Sequence, residues 1–166
     1  SRISKRGQKV VLKLNMDGKF VEDRWSRNII AELKGSTYPE EIIVVGGHID
    51  SWDVGQGAHD DAGGCVAAWR AVTLIKELGL KPRRTIRIVL WTNEENGGKG
   101  NENYKNEHLS ELNNHILAIE SDGGVFAPQG FGFTGSEKAK NYILDIASLL
   151  DPIGAGTITN WGRAAD

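Results

Sequence analysis

The apolar and polar positions of the chain fall into units that alternate between strand-like and helix-like periods. Lys9 to Asn15 (KVVLKLN) mixes apolar and basic residues in near-alternation and predicts an edge or half-exposed strand, followed by Asp17-Gly18 turn chemistry. Arg27 to Leu33 predicts a second strand, and Ile42 to Val45, apolar and β-branched, a buried one. Asp61 to Leu78 predicts the first clear helix. Val66, Trp69, Ala71, Val72, Leu74, Ile75 and Leu78 form its apolar face, Asp60 and Asp61 place negative charge at its start, and Gly79 stops it. Thr85 to Trp91 (TIRIVLW) predicts a strand, Asn101 to Leu112 has weak helical periodicity, and His115 to Ile119 predicts another short strand. Phe131 to Thr134 reads as a further short strand. Ser136 to Leu150 predicts a helix that buries Ile143, Leu144, Ile146, Ala147, Leu149 and Leu150 and ends before Pro152.

Strands alternating with helices predict an α/β fold, a three-layer αβα sandwich with a mixed, largely parallel central sheet. The 166 residues suffice for one domain with a sizeable core. A net charge of −2 argues against a nucleic-acid or membrane-surface binder, which carries a basic excess. A single cysteine, Cys65, allows no intrachain disulfide, and its Ala-rich helical surroundings favour a small buried hydrophobe. No apolar run approaches the length of a membrane span.

The chemistry collects where three strands end. The strand Ile42 to Val45 runs into His48, Asp50, Asp53, His59, Asp60 and Asp61, all in one Gly-rich loop. The strand ending at Trp91 runs into Glu94-Glu95, and the strand ending at Ile119 runs into Glu120-Ser121-Asp122. Ligands of open α/β sheets gather beyond the carboxyl ends of the strands. Each cluster has an ordinary explanation when taken alone: a His-x-Asp hydrogen bond, a helix N-cap, a solvated acidic loop, a turn aspartate. Three of them together predict one site, in which an imidazole and carboxylates match the donor set of a divalent metal such as zinc. Asp50 is spaced to accept from the His48 ring and fix its tautomer. Adjacent acids such as Glu94 and Glu95 can divide the work, one binding metal and the other acting as general base.

The segments GGHIDSWDVGQGAHDDAGG, RTIRIVLWTNEENGGKG, AIESDGG and FTGSEKA resemble the co-catalytic zinc peptidase family that contains bacterial leucyl aminopeptidases, and within it the carboxypeptidase branch. The resemblance runs across nearly the whole chain. It implies two zinc ions, with His48 on one of them and Asp60 bridging both through a residue whose bond to Asp61 is cis. It implies Glu95 as a ligand of one metal and Asp122 of the other. Glu94 is then the general base acting on a metal-bridged water, and Asp50 the acid that orients His48. The implied activity is exopeptidase hydrolysis of small peptides, dipeptides especially, by a secreted or lysosomal enzyme. Partners would be the peptide substrate, with no nucleic acid and no membrane; a homodimer is allowed.

The family's last metal ligand is a histidine about one strand and one helix beyond Asp166. The resemblance therefore implies that residues 1–166 are a partial catalytic domain with incomplete sheet edges. His59 stands where the family has an apolar residue. Two other readings remain open: an aminopeptidase of the same family, and a non-catalytic binding domain on the same fold. The intact Glu94-Glu95 pair speaks against the second.

Overall fold

The computed structural model describes residues 4–7 and 9–160; the chain ends that bear on the expectation of a partial domain lie outside the described residues. Four strands form the main sheet: β1 (Ile29–Leu33), β2 (Tyr38–His48), β3 (Arg84–Trp91) and β4 (His115–Glu120), in the spatial order β1-β3-β2-β4. β2 runs parallel to β3 on one side and to β4 on the other, while β1 is antiparallel to β3. The predicted mixed, largely parallel sheet is thus present. It has one consequence for function: the carboxyl ends of β2, β3 and β4 lie side by side on one edge.

The helix α1 (Ala62–Glu77) packs on one face of this sheet, and α2 (Lys99–Glu107) sends Tyr104 onto the other. Side chains on a strand alternate between faces. On β2, Gly47 faces α1, where an added Cβ would stand 2.9 Å from the Cys65 amide. Val44, three residues earlier, joins Ile42, Val89, Trp91 and Tyr104 of α2 in the apolar core on the other face. Tyr104 meets Trp91 edge-on, with ring centroids 5.2 Å apart. Burial of Arg87 on this same face is balanced by its hydrogen bonds to Tyr104, Glu111 and Glu32, at 2.6, 2.6 and 2.7 Å. A third helix, α3 (Glu137–Ser148), is capped by Ser136, whose hydroxyl accepts from the Ala139 amide, and packs near β6 (Thr157–Thr159). β6 pairs in parallel with β5 (Gly130–Gly132).

Three expectations are corrected. Residues 9–28 form no strand: Leu12, Leu14, Phe20 and Trp25 are exposed, and no strand among the described residues pairs with β1 on the side away from β3. Alternation states a propensity, but a strand forms only when a neighbour supplies the ladder hydrogen bonds. The sheet-facing side of α1 is Gly64, Cys65, Ala68 and Val72, whereas Val66, Trp69, Leu74 and Leu78 are exposed. Small residues in its first two turns let the helix sit close to the sheet; of the predicted apolar face Val72 is buried, while Val66, Trp69, Leu74 and Leu78 turn outward. In α3 only Ala147 is buried, and Leu144 and Ile146, with Leu149 just past its end, are exposed. Elsewhere the boundaries shift modestly: β2 begins at Tyr38, with Pro39 placed at a register shift between Tyr38 and Ile42.

Candidate metal centre

β2 ends in two glycines and His48. Any side chain at Gly47 would collide with Asp61, whose Oδ2 would lie 2.2 Å from an added Cβ. Gly64, in the first turn of α1, is closer still to the Ser121 carbonyl, at 1.7 Å from an added Cβ. These bare positions let the start of α1 and the end of β4 close around His48, which is 1% exposed. Asp61 performs two tasks there. Its Oδ1 accepts from the Gly64 amide as the N-cap of α1, and its Oδ2 accepts from the His48 amide at 3.1 Å. The Asp60–Asp61 peptide bond is cis, as the family resemblance implies.

The His48 ring is where the three strand ends converge. Its Nε2 lies 3.0 Å from Asp60 Oδ1, 3.4 Å from Asp122 Oδ1 and 3.8 Å from Glu94 Oε2. Its Nδ1 faces the Asp50 carbonyl at 3.0 Å, nearer than the Asp50 carboxylate at 3.7 Å. That carboxylate instead accepts from the backbone amides of Glu94 and Glu95, at 3.0 and 3.3 Å. Asn93, at φ 68, makes the turn that points both amides toward Asp50. One residue therefore holds the imidazole through its backbone and the Glu-Glu pair through its side chain.

The electrostatics of the cluster are those of a crowded acid pocket around one imidazole. Burial pulls His48 down, but the Asp50 carbonyl and the Asp122, Glu94 and Asp61 carboxylates outweigh it and push it up to about 9. Burial raises Asp61 to about 6, with the nearby Asp122 charge adding to it. Burial also raises Asp122, against the pull of His48. A divalent cation would supply the counter-charge that the proton on His48 otherwise supplies.

The residues fit such a cation. His48, Asp60 and Glu95 offer ligand atoms within 4.8 Å of one another, and so do His48, Asp61 and Asp122. Glu95 Oε1 is buried without a hydrogen-bond partner, a costly state that a metal bond would relieve. The six residues to which the family resemblance gives roles, His48, Asp50, Asp60, Glu94, Glu95 and Asp122, thus lie together at the strand ends. Asp61 belongs there as well. In the sequence it read only as a helix start, and the adjacent Gly63-Gly64 was the one sign that something packs closely against it. Cys65 fits its bland reading: it is buried, its thiol donates to the His48 carbonyl at 3.1 Å, and burial pushes it up to about 11. No helix among the described residues is long and apolar enough to cross a membrane.

Comparison with known proteins places the chain in a family. Carboxypeptidase Q of Homo sapiens is 48% identical over 166 residues, all of this chain and 35% of that protein. The chain therefore spans about a third of the length of the curated relatives it matches. Aminopeptidase NAALADL1 of Mus musculus is 28% identical over 151 residues, covering 86% of this chain and 20% of that protein. The crystal structure of a peptidase M28 precursor from Shewanella amazonensis superposes with a TM-score of 0.76 at 39% identity, covering 83% of this chain and 31% of that one. The profile of peptidase family M28 matches residues 28–162, and the chain belongs to that family.

Proposed function

We propose that the protein is a zinc-dependent exopeptidase of carboxypeptidase or dipeptidase type acting on small peptides, with residues 1–166 forming part of its catalytic domain. The observation that carries this reading is the meeting of His48, Asp60, Glu95 and Asp122 around a buried imidazole, with Glu94 alongside. These four residues would hold the metal, and zinc bound there supplies Lewis acidity. Glu94 is the general base: it takes the proton of the attacking water and returns it to the leaving amine. Asp50 holds the Glu94 and Glu95 amides, and so keeps the base and the ligand on their respective sides of the turn. Asp61 anchors the His48 backbone to α1. A secreted or lysosomal location accompanies this reading through the family resemblance.

The test uses the full-length protein. Glu94→Gln is expected to lower kcat on dipeptides by about 10²- to 10⁴-fold while zinc content stays unchanged. Unchanged turnover in the variant, or a wild-type protein that takes up no zinc when it is supplied, would overturn the reading. The aminopeptidase match favours a second reading, that of an aminopeptidase with the same metal ligands. Hydrolysis of N-blocked dipeptides supports the carboxypeptidase type; a strict requirement for a free amino terminus supports the second.

A further inference from the structure

The loop after β2 and the loop after β4 meet at His59, a residue that neither group of candidate ligands includes. The imidazole stands edge-on to Phe126, with ring centroids 5.0 Å apart and planes at 77°. The Val125 amide donates to its Nδ1 at 3.5 Å. On its other side the ring lies against Gly124, where an added Cβ would fall 2.3 Å from Nε2 and where φ is +83. Only a glycine meets both conditions at that position.

The placement matters because of what each loop carries. His59 directly precedes Asp60, and Gly124 follows Asp122 by two residues. Asp60 and Asp122 reach the same nitrogen of His48 from these two loops. The Asp60 side chain is 57% exposed, and its loop is held on the α1 side by buried Asp61 and by the Ala62 amide, which donates to the Gly57 carbonyl. The His59 ring is a contact that ties this loop directly to the one bearing Asp122.

We propose that His59 is a positioning residue: it clasps the 124–126 segment against the 59–60 segment and so sets the spacing of the Asp60 and Asp122 carboxylates around the metal. This rests on the metal-site reading above. His59 acts through those two carboxylates and not as a ligand. Its edge contact with Phe126 supplies the hold, which an aromatic ring of another kind can reproduce.

The test is a zinc competition titration of the full-length protein against a chromophoric chelator. His59→Ala is expected to weaken one of two bound zinc ions by about 10- to 100-fold, as the loss of residues that support metal ligands does elsewhere. His59→Phe is expected to restore most of that affinity. Because His59 is exposed, thermal unfolding of the metal-free variants should match that of wild type. A His59→Ala protein that binds both ions like wild type overturns the proposal. So does equal loss in His59→Ala and His59→Phe, which would assign the effect to an imidazole nitrogen. Wild-type protein that binds no zinc overturns the metal-site reading itself, and the clasp with it.

Discussion

Trp25 and Trp91 both stand near stretches whose alternation predicts a strand, and they end in opposite environments. Trp91 closes β3, is 7% exposed, and packs edge-on against Tyr104. Trp25 lies between the predicted strand Lys9 to Asn15, with its Asp17-Gly18 turn, and the strand predicted from Arg27, and is fully exposed. The difference lies in partners. β3 has β1 on one side and β2 on the other, while residues 9–28 reach the fold through side chains: Asp23 to Lys99 at 2.5 Å, and Asn28 to the Thr92 amide and Gly100 carbonyl. An exposed apolar residue contributes no burial, so alternation without a paired neighbour carries little stability.

The largest effect that sharpens this contrast comes from the tryptophans themselves. Trp91→Ala should cost about 3–5 kcal/mol in urea unfolding, whereas Trp25→Ala should change stability by no more than about 0.5 kcal/mol. Comparable losses in the two variants would mean that residues 9–28 are packed after all.

Next in size is metal removal. If zinc is present at about 100- to 1,000-fold over its Kd, chelation should destabilise the protein by about 3–4 kcal/mol, seen as a fall in Tm. His48→Ala should remove most of that dependence. Retention of the full zinc-dependent shift in His48→Ala would separate stability from the strand ends.

The smallest effect concerns acid stability. Hydrogen bonding to Arg87 holds the Glu111 carboxyl below its ordinary 4.5. A value lowered by folding stabilises the protein above the unfolded value and loses that contribution as pH falls through the folded one. Glu111→Gln should therefore flatten the stability profile below about pH 4.5 and leave Trp91-dependent stability intact. An acid limb unchanged by Glu111→Gln would show that other carboxylates govern acid unfolding.

The α/β pattern, the capped helix α1 and the residue types at each strand end are all legible along the chain. Period, caps and turn residues are local properties. Parallel strands joined by helices must also place their carboxyl ends on one edge, so the grouping of His48, Glu94-Glu95 and Asp122 follows from the order of elements.

Which atoms meet depends on contacts between distant segments. The Asp50 carboxylate serves amides 44 and 45 residues away, and the Asp61 carboxylate binds the backbone of His48. Residues 9–28 stay unpaired, and Val66, Trp69, Leu74 and Leu78 of α1 face outward while Gly64, Cys65 and Ala68 take the close approach to the sheet. The physical reason is the same in each case. Local pattern sets what a segment can do, and hydrogen bonds and close packing between segments far apart in the chain set what it does.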